Sequence, residues 1–396
     1  MKKALLIFVF IPCLVNAQLL KGVLLDKSSS EPIPFATIGT IGSTSGTVSN
    51  INGEFLLETA GSDSIIVSHL NYGVNYFKID LNNTTQTYRL TPLVITLAEV
   101  TITGKTIQQI LNEAVLKSEQ AVTSPIYLKS YYREFVKTNN NYTKFSDGIV
   151  NYYLENKGKG NLKTKVWVTD SRAVELYDEK EEKIDWDLTS PLDIQDGPKP
   201  SLISSIGKFL NEEEQGKYDF KISSPDSKDK NWTVISVLPK KEIEEMLFEA
   251  TIAIDDETGL ILQLDYHISD YHKQFAKEAN LLIIKAKLLH SWIRIHFNES
   301  NGNYNIAYVY RDASMKVWNK SNINTEFRFT SDLIVTDILP NPNSLLKEDL
   351  YSGKSLYKRK TPTKTEFWIN SNAIKLTEDQ QQIVDGLMKA NAPGKQ

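Results

Sequence analysis

The sequence predicts a mainly β protein in which a small β-sandwich precedes a large, curved antiparallel sheet with a packed helix. Three observations carry this reading. Short apolar or alternating runs separated by Gly, Asn, Asp and Pro fill residues 19–103, which is the spacing of sandwich strands. Longer, aromatic-rich alternating runs fill most of the chain after Pro125, the period-two pattern of strands with one buried face. Between them lies one stretch with helical spacing. The 396 residues suffice for two or three domains of ~100–200 residues each, and a hydrophobic content of 41% is enough for packed cores.

The chain opens with Lys2 and Lys3, an apolar run from Ala4 to Val15, and the small-residue site Val15-Asn16-Ala17. This is the layout of an export signal over residues 1–17, with Gln18 as the mature N-terminus. The run of about twelve apolar residues is too short to cross a hydrocarbon core of ~30 Å as a helix, and no later segment reaches ~18 uninterrupted apolar residues. No transmembrane helix is expected after cleavage, and the expected location is the periplasm or the outer membrane. Cys13, the single cysteine, falls inside the leader. The preceding Phe10-Ile11-Pro12 lacks the small residue that a lipidated leader places there. The mature chain therefore has no thiol for a disulfide, a nucleophile or a metal.

Residues 18–104 read as the sandwich, with about seven strands: LLKGVLLD, PFATIGTI, GEFLLET, SIIVSHL, YFKIDL, TYRLTPL and EVTITG. Residues 105–396 read as the second unit. Its helix is announced by Ile107, Ile110, Leu111, Ala114, Val115 and Val122 at helical spacing, behind Thr106 and Gln109 in the form of a capping box. The polar face is not enriched in Lys and Arg, so the apolar stripe is expected against a sheet rather than a membrane surface. Strands follow: YLKSYYREFVK, YTKFSDGIVNYYLE, KTKVWVTDSRAVEL, WTVISVLP, EATIAIDDETGLILQLDYHISD, ANLLIIKAKLL, SWIRIHFN, YNIAYVYRDASMKVW and EFRFTSDLIVTDI. DDETG at 255–259 sits between two alternating runs and predicts a hairpin turn. Asp178–Lys230, charged and interrupted by Pro191, Pro198, Pro200 and Pro225, is expected as a solvated crossover with a short helix near 201–210. Thr377 to Ala390 repeats the Thr-x-x-Gln cap, with Ile383, Val384, Leu387 and Met388 on one face, and predicts a final helix that packs back.

Net charge is −4 with both signs well mixed, and no basic run is interleaved with aromatics, so nucleic acid is excluded as a partner. His296 and Glu299 have the His-x-x-Glu spacing of a zinc site, but His296 is the last His in the chain, so no third imidazole lies downstream. On a continuous strand, residues three apart point to opposite faces, as do His267 and His272 five apart. Ser68-His69 and His290-Ser291 are only sequence neighbours, and no nucleophile elbow, phosphate loop or dinucleotide fingerprint is present. The sequence thus proposes no catalytic residues, no cofactor, no cofactor-binding residues and no metal ligands. It does offer aromatic density: Tyr127, Tyr131, Tyr132, Phe135, Tyr152, Tyr153, Trp167, Trp232, Trp292 and Trp318 all lie on predicted strands. The plain reading is sheet core and cross-strand pairs. The sharper one is an apolar hollow for a lipid-like ligand, closed by the 107–122 helix.

Gly22-Val23, Asp26, PIPFATI (32–38), GTVSNINGEF (46–55), IIVSHLNY (65–72) and LAEVTITGK (97–105) resemble, in order and spacing, the carboxypeptidase-like regulatory domain of exported proteins from Bacteroidetes-type bacteria. The resemblance implies a transthyretin-like Greek-key sandwich with no activity of its own. Leu70-Asn71-Tyr72-Gly73 departs from the Ile-Gly-Tyr-like corner usual in that family. In GTVSNINGEF, Gly46 and Gly53 are expected to supply turn geometry and Phe55 to enter the core. The rest of the chain is similar to an uncharacterised β-rich domain that follows this sandwich, and its helix with antiparallel strands is similar to lipoprotein-carrier half-barrels.

The expected function is that of a non-enzymatic, exported cell-envelope protein, a binding or scaffold module whose partner is an envelope protein or an apolar ligand in the second domain. The alternative is a peptidase-associated or zinc hydrolase protein. It requires His296 and Glu299 to converge with His267, His272 or His290.

Overall fold

The computed structural model describes residues 19–59, 61–80, 82–83, 85–97, 105–156, 162–176, 193–199, 203, 212–225, 232–281, 284–300, 302–320, 323–338, 350–358 and 374–390. The leader, the EVTITG run and, apart from Ile203, the helix expected at 201–210 lie outside these residues.

Two small sheets form the first unit. Strands β1 (Leu19–Asp26), β4 (Glu54–Glu58) and β7 (Thr85–Leu90) lie in the order β4-β1-β7, with β1 antiparallel to β4 and parallel to β7. Strands β2 (Thr37–Thr40), β3 (Gly46–Val48), β5 (Ser64–His69) and β6 (Gly73–Lys78) lie in the order β3-β2-β5-β6. Alternation along β1 and β4 turns Leu20, Leu24, Phe55 and Leu57 inward to meet Ile38, Ile65 and Val67 of the other sheet.

The GTVSNINGEF segment is a crossover between the two small sheets, from β3 in one to β4 in the other, and it turns at Asn50. The Asn50 side-chain oxygen accepts the backbone N–H groups of Asn52 (2.9 Å) and Glu54 (3.0 Å), a local turn that a short amide or carboxyl side chain closes best. Gly53 follows at φ +71°, and a Cβ there would stand 2.4 Å from the Leu24 carbonyl oxygen, so both conformation and space demand glycine. Gly46 departs from expectation: it lies within β3 and has no positive φ, because the turn is carried by Asn50 and Gly53. Phe55 is fully buried, as expected.

The second unit is one antiparallel sheet of twelve strands. Its path runs β11 (Leu162–Glu175), β10 (Asn141–Asn156), β9 (Ile126–Thr138), β19 (Asn324–Ile338), β18 (Asn303–Trp318), β17 (Ile284–Ser300), β15 (Ile261–Ile268), β14 (Phe248–Asp255), β13 (Trp232–Pro239), β12 (Tyr218–Pro225) and β8 (Ile95–Leu97), with β16 (Glu278–Leu281) beside β17. The sheet does not close into a barrel. Strands from both halves, including Val150 and Val166 at one end and Ile235 and Ile252 at the other, join one core with helix α1 (Ile107–Ala121). At ~4.8 Å per strand that is possible only if the sheet curves around the helix. The capping box is present, with Thr106 Oγ1 accepting from Gln109 N–H (3.2 Å) and Gln109 Oε1 from Thr106 N–H (2.8 Å).

Alternation on β9 assigns the faces. Ile126, Leu128 and Tyr132 point to α1, the inner face, whereas Tyr131 and Phe135 point outward. Tyr131 meets Val48 of the sandwich, and Phe135 meets Val384 and Leu387 of α2 (Glu378–Ala390), the final helix, which packs back on the sheet as expected. The sequence reading placed Tyr218–Pro225 in a solvated crossover, but it forms β12, paired to both β13 and β8. The alternation Tyr218, Phe220, Ile222 outweighs the charge and proline around it. The DDETG turn forms as expected, Asp255 Oδ1 accepting from Glu257 N–H (3.0 Å) and Thr258 N–H (2.7 Å), with Gly259 at φ +66°. Among the described residues no helix is long and apolar enough to cross a membrane.

Candidate functional site

The structure gathers its polar chemistry where the sandwich meets the outer face of the large sheet. Phe35, from the PIPFATI motif, adopts φ +61°, which is unusual for a bulky side chain, and this turns its ring onto the sheet. The ring stacks on Tyr308 (centroids 6.4 Å apart, planes at 25°), and the Arg294 guanidinium lies over it at 4.8 Å. Arg294 is fixed in turn by Asp265, which accepts from its Nε (2.6 Å) and from Trp292 Nε1 (2.7 Å). At the turn between β3 and β4, Asn50 donates to the Lys375 carbonyl (3.1 Å), and Lys375 pairs with Glu54.

Beneath this contact the outer face carries two buried ion pairs and a third whose arginine is half-exposed. Arg133, 3% exposed, donates from Nη2 (2.8 Å) and Nε (3.2 Å) to Asp332 and from Nη1 to the Ile374 carbonyl (3.1 Å), while Tyr308 donates to Asp332 (2.7 Å). Burial works against the Arg133 charge, but the Asp332 carboxylate outweighs it and holds the guanidinium above its ordinary range. Asp147 accepts from Arg172 Nε (2.7 Å) and Nη2 (2.8 Å) and from Tyr131 (2.9 Å). Asp312 is bonded by Arg328 (2.9 and 2.6 Å).

The sequence-weighed histidines do not converge. His296 is buried against the Tyr308 ring (5.5 Å), 3.4 Å from the Thr37 hydroxyl, whereas Glu299 is exposed. His267 sits 3.7 Å from Glu249, and His290 3.5 Å from Asp312. The strand ends at Ile268, so His272 falls in a short 3-10 turn rather than on a continuous strand, buried beside the Lys240 carbonyl (3.2 Å). Among the described residues no three His, Cys, Asp or Glu side chains are placed to hold a metal ion. One imidazole pair was not anticipated: His69 of the sandwich acts electrostatically on His296, together with Arg294. A cross-domain pair of this kind leaves no local sequence signal.

Burial pushes the His296 imidazole down to about 3, helped by the positive charges of Arg294 and His69. A histidine depressed from 6.5 in the folded state takes up its proton preferentially when unfolded, so its contribution is intact above pH 6.5 and lost as pH falls toward 3. At pH 5 this costs about 2 kcal/mol relative to pH 7. Urea unfolding at the two pH values measures the loss. In His296→Gln the difference should shrink by about that amount, and an unchanged difference would assign the acid sensitivity elsewhere.

Beside His296 a cleft of about 190 Å³ opens between the two units. The sandwich contributes Thr37, Thr40, Ser45 and Thr47, and the sheet contributes Asn298, Glu299 and Asn305 over an apolar floor that includes Ile334 and Val335. Thr47 Oγ1 and Asn305 Oδ1 are buried with no hydrogen-bond partner, although Asn305 Nδ2 donates to the Ile306 carbonyl (3.0 Å). Each such group costs ~1–3 kcal/mol while unsatisfied, which a bound donor would return.

Comparison with known proteins now gives the sandwich a name. Residues 20–102 match the family described as the CarboxypepD_reg-like domain. No curated protein matches the chain. Among solved structures, a DUF1329 family protein from Desulfovibrio piger is 10% identical, covering 58% of this chain and 94% of its own, with a TM-score of 0.24. A LolA superfamily protein from Nitrosomonas europaea is 10% identical over 62% of this chain and 99% of its own, with a TM-score of 0.22. In the present chain the CarboxypepD_reg-like domain lends Phe35, Thr37, Thr47 and Asn50 to the contact with the second sheet.

Proposed function

We propose that this chain is a non-enzymatic, exported binding protein of the cell envelope, in which the CarboxypepD_reg-like domain and the curved sheet present a ligand site between them. The observation that carries this reading is the cleft itself: both units build it, and each leaves one buried polar atom, Thr47 Oγ1 and Asn305 Oδ1, facing no protein partner. The chemistry of the lining is that of binding. It has hydroxyls, amides and the Glu299 carboxylate over an apolar floor. Away from the cleft the carboxylates of Asp147, Asp265, Asp312 and Asp332 are each held by an arginine. A neutral polar group that offers an N–H or O–H to Asn305 would satisfy the site at little desolvation cost.

A photocrosslinking residue placed at Ser43, on the cleft wall, tests the proposal in intact cells. One dominant adduct is expected, lost when Asn305→Leu removes the acceptor. A diffuse pattern, or an adduct indifferent to Asn305→Leu, would overturn the cleft as the site.

A further inference from the structure

Arg311 is a buried cation that the described protein leaves without a counter-ion. It lies on β18 between Tyr310 and Asp312, so alternation turns it to the inner face, toward α1, and it is 8% exposed. Arg133, Arg172, Arg294 and Arg328 each hold an aspartate, whereas among the described residues Arg311 makes no hydrogen bond or ion pair. Its charge is felt by the buried phenols of Tyr132 and Tyr152, which places the guanidinium among inner-face side chains.

The acids that face it are otherwise engaged. Glu134 is in the same cross-strand row, Arg311 opposite Ser331 and Ser331 opposite Glu134, two strands and roughly 10 Å away at the backbone. Its carboxylate accepts the Tyr132 hydroxyl at 2.5 Å. Asp193 accepts from Gln195 N–H (2.8 Å), and Asp196 pairs with Lys199 (2.9 Å). A guanidinium on so deeply buried a side chain is favoured by an anion that shares its site. The rows on either side are apolar: Ile295, Val309, Leu333 and Tyr132 toward α1, and Ala313, Phe329 and Val136 on the other flank.

We propose that Arg311 is an anion-recognition point on the inner face of the curved sheet, taking the carboxylate or phosphate of an acidic amphiphile whose apolar part follows the flanking rows. A planar guanidinium suits either oxyanion by paired N–H donation. The inference rests on the reading of this chain as a binding protein, but not on the cleft, which opens on the opposite face.

The test uses the mature chain with dodecanoate, its uncharged counterpart dodecanol, and inorganic phosphate. Dodecanoate is expected to bind and raise Tm, at least tenfold more tightly than either control. Arg311→Met should weaken dodecanoate at least tenfold, with partial recovery in Arg311→Lys. Because removing an unpaired buried charge does not destabilise, the ligand-free Arg311→Met protein should match or exceed the parent Tm. A Tm several degrees lower would make Arg311 a structural residue and overturn the proposal, as would equal dodecanoate affinity in parent and variant, or no binding to the parent. Phosphate binding as tightly as dodecanoate would overturn the amphiphile as its source. Asn305→Leu should leave the dodecanoate response unchanged, so the cleft and the anion point fail or stand separately.

Discussion

Arg133→Met should destabilise the protein by about 3–5 kcal/mol, because it strands the Asp332 carboxylate in a buried site and removes the donor to the Ile374 carbonyl. The loss should reach beyond the sheet. Ile374 packs with Val48 of the sandwich and Tyr131 and Tyr308 of the sheet, so loosening it slackens the contact between the two units. Urea unfolding reports the magnitude, and amide exchange near Lys375 reports the spread. The triple change Arg133→Met, Asp332→Leu and Tyr308→Phe removes the three polar side chains of the cluster together, leaving only the Ile374 carbonyl without its donor, and should regain most of the loss. A single-variant cost below about 1 kcal/mol would mean that water already reaches the pair.

Phe55→Ala should cost a comparable ~3–5 kcal/mol, since the ring is fully buried between the two small sheets, 6.1 Å from the Tyr88 ring. The ring also explains Gly22: a Cβ at that position would stand 2.1 Å from it. Gly22→Ala should therefore be damaging in the parent and far milder in the Phe55→Ala background, a coupling that a double-mutant cycle reads directly. Independent costs would show that the ring shifts aside freely.

What could be read in advance follows the range of the interactions. Capping boxes at Thr106 and Thr377 are complete within four residues, and both helices start where those residues place them. The alternation of β9 to β11 and β17 to β19 is equally local, and the buried Tyr131, Tyr132, Tyr152 and Trp167 are the aromatics expected on those strands. Tyr218–Pro225 was misjudged because charge and proline masked a three-residue alternation. The site residues were least accessible. Phe35 meets Tyr308, Thr37 meets His296 and Asn50 meets Lys375 across more than 250 residues of chain, and no spacing rule reaches that far. Arg311 carries no sequence signal either, since what sets it apart from Arg133 or Arg328 is the missing aspartate opposite it.

Strand β8 is the short segment that leaves the sandwich and zips onto β12, through Leu97 opposite Ser223 and Ile95 opposite Pro225. A gene recombination that transplanted the sandwich with its natural tail would tear this ribbon from its host and export an exposed, sticky border with it. Productive shuffling of the module must therefore break the chain upstream of Ile95, in the four residues after Leu90.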